Sequence, residues 1–150
     1  MKKAKFDKNA DIFIKSDLFE ITVKKSKKTF SYISEIYYLI DPEKDFLTIT
    51  QGLSQITIIA NKRNRKRITD ILNKERIVKG IDNLACISTA LPLSAVDEVG
   101  YFYLLTRAFA WENIALVELV STLTELSFII SERDVPKAFN IFKEVIEKNS

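Results

Sequence analysis

Apolar residues recur with two different periods along this chain, and the order of the two periods predicts the fold. Residues 18–25, LFEITVKK, alternate apolar with polar positions, which is the period-2 pattern of a half-buried strand. Residues 27–41 instead place apolar side chains at helical spacing, and Pro42 stops the predicted helix. The Thr- and Ile-rich segments 45–52 and 54–61 follow as two strands joined by a hairpin turn at a glycine.

The first half ends with a predicted short amphipathic helix over residues 65–74 and a predicted extended segment over residues 76–82. The second half of the chain repeats this order of elements. The later elements are a strand over 84–93, a helix over 101–112, strands over 113–121 and 125–132, and a helix over 134–148. Apolar positions of the two halves coincide at a separation of about 70 residues, which indicates an internal repeat of pattern rather than of letters.

This order predicts an α+β protein of two tandem ferredoxin-like βαββαβ units, each with an antiparallel sheet and helices on one face. We expect a flexible N-terminal segment over residues 1–16, a first unit over 17–82 and a second over 83–150. Small units of this kind have thin cores and bare sheet edges, so we expect a homo-oligomer, a dimer or larger.

Composition excludes several chemistries. The chain has 150 residues, 47% of them apolar, and a formal net charge of +3. It has no histidine and one cysteine, Cys86, so Ser-His-Asp triads, Cys-His pairs, histidine-ligated metals and intrachain disulfides are excluded. We expect Cys86 to be a core residue, and we expect no catalytic residues, no metal site and no cofactor.

The sequence has neither the pattern of a signal peptide nor that of a membrane-spanning segment. The basic start, MKKAKFDKNADIF, is not followed by an apolar run, and no apolar stretch reaches the ~18 residues that span a bilayer. We therefore expect a soluble, cytoplasmic protein without a membrane partner.

The second half carries particular residues at a particular spacing. Asp97 and Gly100, in VDEVGYFYLL, precede a predicted helix, and Asn113-Ile114, in WENIALVELVSTLTE, begin the following strand. Together with the hairpin STLTELSFII and the closing helix DVPKAFNIFKEV, they make residues 84–148 resemble an ACT domain of the aspartate-kinase type. Val99 stands where that family usually has proline. The first half is similar only in outline, because KKSKKTFS has no glycine before its helix.

The resemblance implies a ligand site for an amino acid at an interface between such units. A helix N-terminus exposes N–H groups and favours a carboxylate, and Gly100 would let the backbone approach it. The implied ligand-binding residues are Asp97, Glu98, Val99, Gly100, Tyr101, Asn113 and Ile114. Each also has a purely structural interpretation: Gly100 as a turn residue, the two acids as a favourable helix start, and Asn113 as a helix stop.

We therefore expect a non-enzymatic regulatory or sensor protein, with allosteric control by linkage between ligand and interface. The alternative is a nucleic-acid-associated or protein-interaction module, in which the ACT-like units serve dimerisation. That alternative uses the basic segment 61–67, with Lys62, Arg63, Arg65, Lys66 and Arg67 as its possible patch. No aromatic residues interleave with these charges, which favours a solvated turn over a nucleic-acid surface.

Overall fold

The computed structural model describes residues 2–73, Glu75 and 77–150. Within these residues the chain forms two compact units. We call Ser16–Leu84 the central unit, and we call Ala85–Ser150 with the N-terminal stretch that ends at Lys15 the terminal unit.

The elements follow the predicted order, with two short strands in addition. In chain order they are β1 (Lys2–Lys3), β2 (Ile12–Lys24), α1 (Thr29–Leu39), β3 (Leu47–Gln51), β4 (Gln55–Asn61), α2 (Arg65–Ile71), β5 (Ile77–Ala90), β6 (Glu98–Val99), α3 (Tyr101–Trp111), β7 (Leu116–Ser121), β8 (Glu125–Ser131) and α4 (Val135–Lys148). Single 3₁₀ turns precede α2, β6 and α4.

The central unit has the strand order β3-β4-β2-β5. Strand β4 is antiparallel to both β2 and β3, and Ile58 lies opposite Ile21 on one side and Ile49 on the other. The alternation of apolar residues explains this pairing, because every second side chain faces the helices. The buried core consists of Phe19, Ile21, Val23, Ile36, Ile56, Ile58, Ala60, Ile68 and Leu72.

Strand β2 departs from the half-buried pattern that its sequence predicts. Glu20 and Thr22 are buried, and so are the apolar residues on either side of each. The Thr22 hydroxyl lies 2.8 Å from that of the half-buried Thr57, so the two hydroxyls satisfy each other. Residues 18–23 are therefore buried on both faces of the strand.

The terminal unit has β8 between β7 and β5, and β7 and β8 are antiparallel. Three rings lie at its centre, with Phe109 from α3, Phe128 from β8 and Phe142 from α4 at centroid distances of 5.2 to 5.6 Å. The buried core consists of Phe6, Ile87, Leu91, Tyr101, Leu105, Phe109, Ile114, Leu126, Phe128, Ile130, Ala138, Ile141, Phe142 and Ile146. Each unit thus packs helices on one face of a sheet, and the chain has the predicted α+β fold of two ferredoxin-like units.

The N-terminal residues differ from expectation. We expected residues 1–16 to be flexible, but Phe6 is 3% exposed and packs its ring edge-on against Tyr101 at 5.0 Å. Residues 12–15 belong to β2, the neighbour of β5. The polar composition of residues 1–16 gave no indication that Phe6 would pack in the core. The central unit ends at Leu84, and the N-terminal stretch that ends at Lys15 belongs to the terminal unit.

Two other element boundaries differ from those that the sequence predicts. The extended segments expected on either side of Gly80 to Asn83 are one strand, β5, in which Asn83 takes a positive φ of 56°. The helix expected over 65–74 ends at Ile71. Lys74 and Arg76, which fell within predicted elements, lie outside the described residues.

Candidate functional site

Residues 91–100, which we call the connector, join the end of β5 to the start of α3 in the terminal unit. A 3₁₀ turn at Leu93–Asp97 leads into the short strand β6. Strand β6 pairs in parallel with β1, and the Ala4 N–H donates to the Val99 carbonyl at 2.9 Å. The connector is therefore held in place by the N-terminal stretch.

Gly100 ends the connector and is the N-cap residue of α3. Its φ is +104°, a left-handed backbone conformation that side-chain-bearing residues rarely adopt. A Cβ atom at this position would lie 3.9 Å from the Ala4 Cβ, which is an ordinary contact. The backbone conformation, rather than crowding, is what requires glycine here.

Tyr101 links the connector, α3 and the N-terminal stretch through its hydroxyl. This group shares its proton between the Glu98 carboxylate and the Lys5 carbonyl oxygen at 2.9 Å, and it accepts the Lys5 N–H at 3.2 Å. Burial, and next the hydrogen bond with Glu98, raise the pKa of the Tyr101 hydroxyl above its ordinary value. The neutral phenol is therefore the form that the folded protein favours.

An open cavity of about 360 Å³ lies between the connector, the first turn of α3 and the turn that joins β7 to β8. The Leu91 N–H donates to the Thr124 carbonyl at 2.7 Å, which ties this turn to the start of the connector. The lining residues are Leu91, Ala95, Val96, Glu98, Gly100, Tyr101, Phe102, Tyr103, Ser121, Thr122 and Leu123. Every one of them belongs to the terminal unit.

The polar groups of this cavity include the start of a helix, one carboxylate and several hydroxyls. The first hydrogen bond within α3 runs from Leu104 N–H to Gly100 O at 2.9 Å. Gly100, the N-cap residue, provides no side-chain cap, and the first N–H groups of a helix have no partner within the helix. Glu98 supplies the carboxylate, and Ser121, Thr122 and the two tyrosines, Tyr101 and Tyr103, supply the hydroxyls. Together they offer donors at a positive helix end and acceptors beside it.

The structure brings together part of the predicted site. Glu98, Gly100 and Tyr101 line the cavity, whereas Asp97, Val99, Asn113 and Ile114 do not line it. Asp97 is exposed at the end of the 3₁₀ turn, and Ile114 is buried in the core. The predicted site did not include the other lining residues, which are Leu91, Ala95, Val96, Phe102, Tyr103 and residues 121–123. The Ser/Thr-rich hairpin that includes the last three had contributed to the resemblance.

Asn113 has a structural role that its sequence context also allowed. It takes a positive φ of 56° just after α3. Its N–H donates to Ala110 O at 3.1 Å, and the Ile114 N–H donates to Phe109 O at 2.9 Å. These two bonds form a Schellman motif, in which asparagine is the common substitute for glycine. Asn113 therefore ends the helix and turns the chain toward β7.

The corresponding turn of the central unit, residues 25–28 between β2 and α1, is short and filled by its own side chains. The Thr29 hydroxyl is buried, accepts the Ser26 N–H at 2.6 Å and donates to the Ser26 carbonyl at 2.9 Å. The Ser26 hydroxyl in turn donates to Glu75 at 2.7 Å. The two hydroxyls of this turn are therefore engaged by the turn itself and by Glu75, although the N-cap residue of α1, like that of α3, makes no side-chain cap bond.

The basic segment 61–67 is distributed among local acids. Arg63 pairs with Asp45, Arg65 lies 3.3 Å from Asp82, and Lys66 lies 3.5 Å from Asp70. Hydrogen bonds from the Asp41 backbone and from Arg63 lower the pKa of Asp45. Lys62 and Arg67 are exposed. With three of its five charges paired, the segment is a weak candidate for binding phosphates.

Other chemistry-bearing groups are structural or dispersed. Cys86 is buried, and burial raises the pKa of its thiol to about 11, so the reactive thiolate is disfavoured at neutral pH. Among the described residues, no group of three or more His, Cys, Asp and Glu side chains could hold a metal ion. None of the described helices is both long enough and apolar enough to cross a bilayer.

No protein-family model matches the chain, and no curated protein matches it. Solved structures match its fold. It is similar to the aspartokinase alpha and beta subunits, with 16% identity over 89% of this chain and 95% of that one and a TM-score of 0.72. It is also similar to the ligand-free regulatory subunit of aspartate kinase from Thermus thermophilus, with 12% identity over 97% of this chain and all of that one, at a TM-score of 0.72.

A third similar structure is the aspartate kinase of Clostridium acetobutylicum. It has 13% identity and a TM-score of 0.75 over 97% of this chain, but over only 36% of that enzyme. At such identities the likeness concerns the fold. The chain has the ACT-like fold of the regulatory domains of aspartate kinases, and its likeness to the Thermus subunit extends over that subunit's whole length.

Proposed function

We propose that this chain is a non-enzymatic regulatory module of the ACT family that binds a free amino acid in the connector cavity. The observation that carries the proposal is a cavity of amino-acid size that joins a helix start without a capping side chain to a carboxylate and two hydroxyls. Its volume of about 360 Å³ lies at the small end of the range typical of small-molecule pockets, about 300–1,000 Å³.

The chemistry of an α-amino acid matches these groups at both of its charged ends. The α-carboxylate accepts hydrogen bonds from the N–H groups of Tyr101, Phe102 and Tyr103, where the helix dipole also favours negative charge. The α-ammonium donates to Glu98, with the Ser121 and Thr122 hydroxyls as further acceptors. A zwitterion thus places each charge beside a group of opposite character.

Regulation follows from what Glu98 already contacts. It interacts with the Tyr101 hydroxyl, and β6, to which it belongs, pairs with β1. A ligand that binds Glu98 therefore acts on the same groups that hold the N-terminal stretch. Any difference in affinity between the docked and released stretch shifts the population between them, which is the linkage that a sensor needs.

A second copy of the chain is the partner that we propose for the exposed face of α3. Tyr103 and Trp111 are exposed there and stack on either side of Arg107, whose guanidinium carbon lies 5.1 and 5.0 Å from their ring centroids. Aromatic and arginine side chains are enriched in protein interfaces. Light scattering should show a homodimer, and Trp111→Ala should weaken it. A monomer at all concentrations would contradict this.

Thermal unfolding of the full chain against each of the twenty amino acids at millimolar concentration tests the ligand proposal. Binding to the folded state alone must raise the melting temperature. For whichever amino acid responds, Glu98→Gln should weaken binding by about tenfold or more, because a charge-assisted bond to the ammonium is lost. Asn113→Gly is the matched control, since it keeps the Schellman motif and should leave affinity unchanged. No response from any amino acid would overturn the proposal.

A further inference from the structure

The side chains that line the connector cavity also carry information about the ligand's side chain. Resting on the proposed function, we infer that the amino acid bound here has an uncharged apolar side chain of the leucine, isoleucine, valine, methionine or phenylalanine kind. The inference concerns the selectivity of the cavity, whereas the proposed function concerns only the binding of an amino acid.

Apolar groups dominate the lining once the groups for the two charged ends are set aside. Leu91 forms part of the wall, and Ala95 and Val96 line the cavity from the 3₁₀ turn of the connector. Phe102 from α3 and Leu123 from the β7–β8 turn also line it. A ligand held at both of its charged ends would therefore have mainly carbon surface left to meet.

Once Glu98 receives the α-ammonium, a charged ligand side chain finds no opposite charge among the described lining residues. No lysine or arginine is among the described lining residues, so the carboxylate of an aspartate or glutamate side chain would lack a cationic partner. Glu98 is the one lining carboxylate among them, and it already contacts the Tyr101 hydroxyl and would receive the α-ammonium. A lysine or arginine side chain would lose water without a second acid, at a cost that an apolar side chain avoids.

The exposure of the apolar lining residues also favours a ligand with an apolar side chain. Val96 is 71% exposed and Leu123 is 61% exposed, although both line the cavity. An apolar ligand side chain in contact with these residues would remove carbon surface of both the ligand and the protein from water, which favours binding. A short polar side chain offers less such surface, and its hydroxyl or amide would lose water against carbon.

The equivalent hairpin of the central unit supplies a matched control for this lining. Leu53 occupies the β3–β4 turn, as Leu123 occupies the β7–β8 turn, and it is fully exposed. Replacing either leucine with glutamine gives a polar side chain that is one atom longer and removes the apolar character. Only the change at Leu123 alters the connector cavity.

The experiment measures melting temperature and calorimetric affinity for apolar, cationic, anionic and hydroxyl-bearing amino acids, using the full chain and both variants. We expect apolar amino acids to bind at least about tenfold more tightly than lysine, aspartate or serine, the factor for one buried side chain. Leu123→Gln should weaken their binding by about tenfold, and Leu53→Gln should leave it unchanged.

The outcomes separate this inference from the proposed function. If lysine, aspartate or serine binds as tightly as leucine or more tightly, the inference is overturned while the proposed function stands. If no amino acid binds, both fail. If Leu123→Gln instead converts an oligomer to a monomer in a chain that binds no amino acid, the apolar lining is a subunit contact and not a ligand site.

Discussion

The two strand-to-helix turns of this chain perform the same topological step in different ways. In the central unit, residues 25–28 lead directly from β2 into α1, and the Thr29 and Ser26 side chains close the turn. In the terminal unit the connector, residues 91–100, makes the same step with a 3₁₀ turn and an extra strand. The longer path leaves a cavity beside the helix start, where the shorter turn satisfies its own polar groups.

The difference shows that a repeated fold does not imply a repeated site. Both units have the same arrangement of helices on a sheet, and this arrangement alone supplies a helix start in each. What differs is the path that leads into the helix. The central unit uses a short turn that is closed by Thr29 and Ser26, whereas in the terminal unit the N-terminal stretch pairs with a longer connector that lines an open cavity.

Removal of the Phe6 ring should produce the largest effect, because it tests whether the terminal unit depends on the N-terminal stretch. Phe6→Ala deletes a ring that is 3% exposed and packs on Tyr101. We expect a loss of about 3–5 kcal/mol in the free energy of unfolding, measured by urea denaturation. Phe30→Ala, in the first turn of α1 and 65% exposed, should change the free energy by less than about 0.5 kcal/mol. Equal effects of the two changes would contradict the asymmetry between the units.

Substitution of Gly100 should have the next largest effect. Gly100→Ala forces a side-chain-bearing residue into the left-handed region at φ +104° and should cost about 1–2 kcal/mol of unfolding free energy. The control is Gly52→Ala, whose Cβ would meet Gln55 O at an ordinary 3.5 Å, and a smaller change is expected there. Urea denaturation of the two variants measures both values. A neutral Gly100→Ala would mean that the connector relaxes without cost.

The smallest effect concerns pH. Because the pKa of Tyr101 is raised in the folded protein, its neutral form stabilises the fold. That contribution is fully present below the ordinary tyrosine pKa of about 10 and is lost as pH rises through the folded value. Tyr101→Phe should cost about 0.5–1.5 kcal/mol near neutral pH, from its lost hydrogen bonds, and should flatten the alkaline decline in unfolding free energy.

Tyr38→Phe serves as the control for this pH profile. Tyr38 is 93% exposed, and its substitution should leave the wild-type curve unchanged. Unfolding free energy measured from about pH 8 to about pH 11 covers the window in which tyrosine titrates. A Tyr101→Phe curve parallel to the wild-type curve would show that Tyr101 ionisation is not coupled to folding.

Much of the fold could be predicted because local patterns carry it. The Thr- and Ile-rich segments on either side of Gly52 predicted the β3–β4 hairpin. The stop at Pro42 and the start at Asp134 placed the end of α1 and the start of α4 within a few residues. Such features depend on neighbours in sequence, and the side chain and backbone preferences of those neighbours are visible in the letters.

The candidate site was predictable only in part, for the same reason. Glu98, Gly100 and Tyr101 are consecutive or nearly so, and a sequence pattern could single them out together. Residues 121–123 reach the cavity through the pairing of β7 with β8, and the Lys5 backbone reaches Tyr101 across most of the chain. Asn113 lay at the expected spacing, but its backbone bonds show that it ends a helix.

By itself, the sequence determined the order of elements, the two-unit repeat, the absence of histidine chemistry and the position of the one helix start preceded by glycine. Only the tertiary structure decided that the N-terminal stretch completes the terminal unit, that Glu98 is engaged by Tyr101, and which apolar side chains line the cavity. The physical reason is distance along the chain. Local periodicity records which face of an element is apolar, but contacts between distant segments are chosen by packing, which no local pattern records.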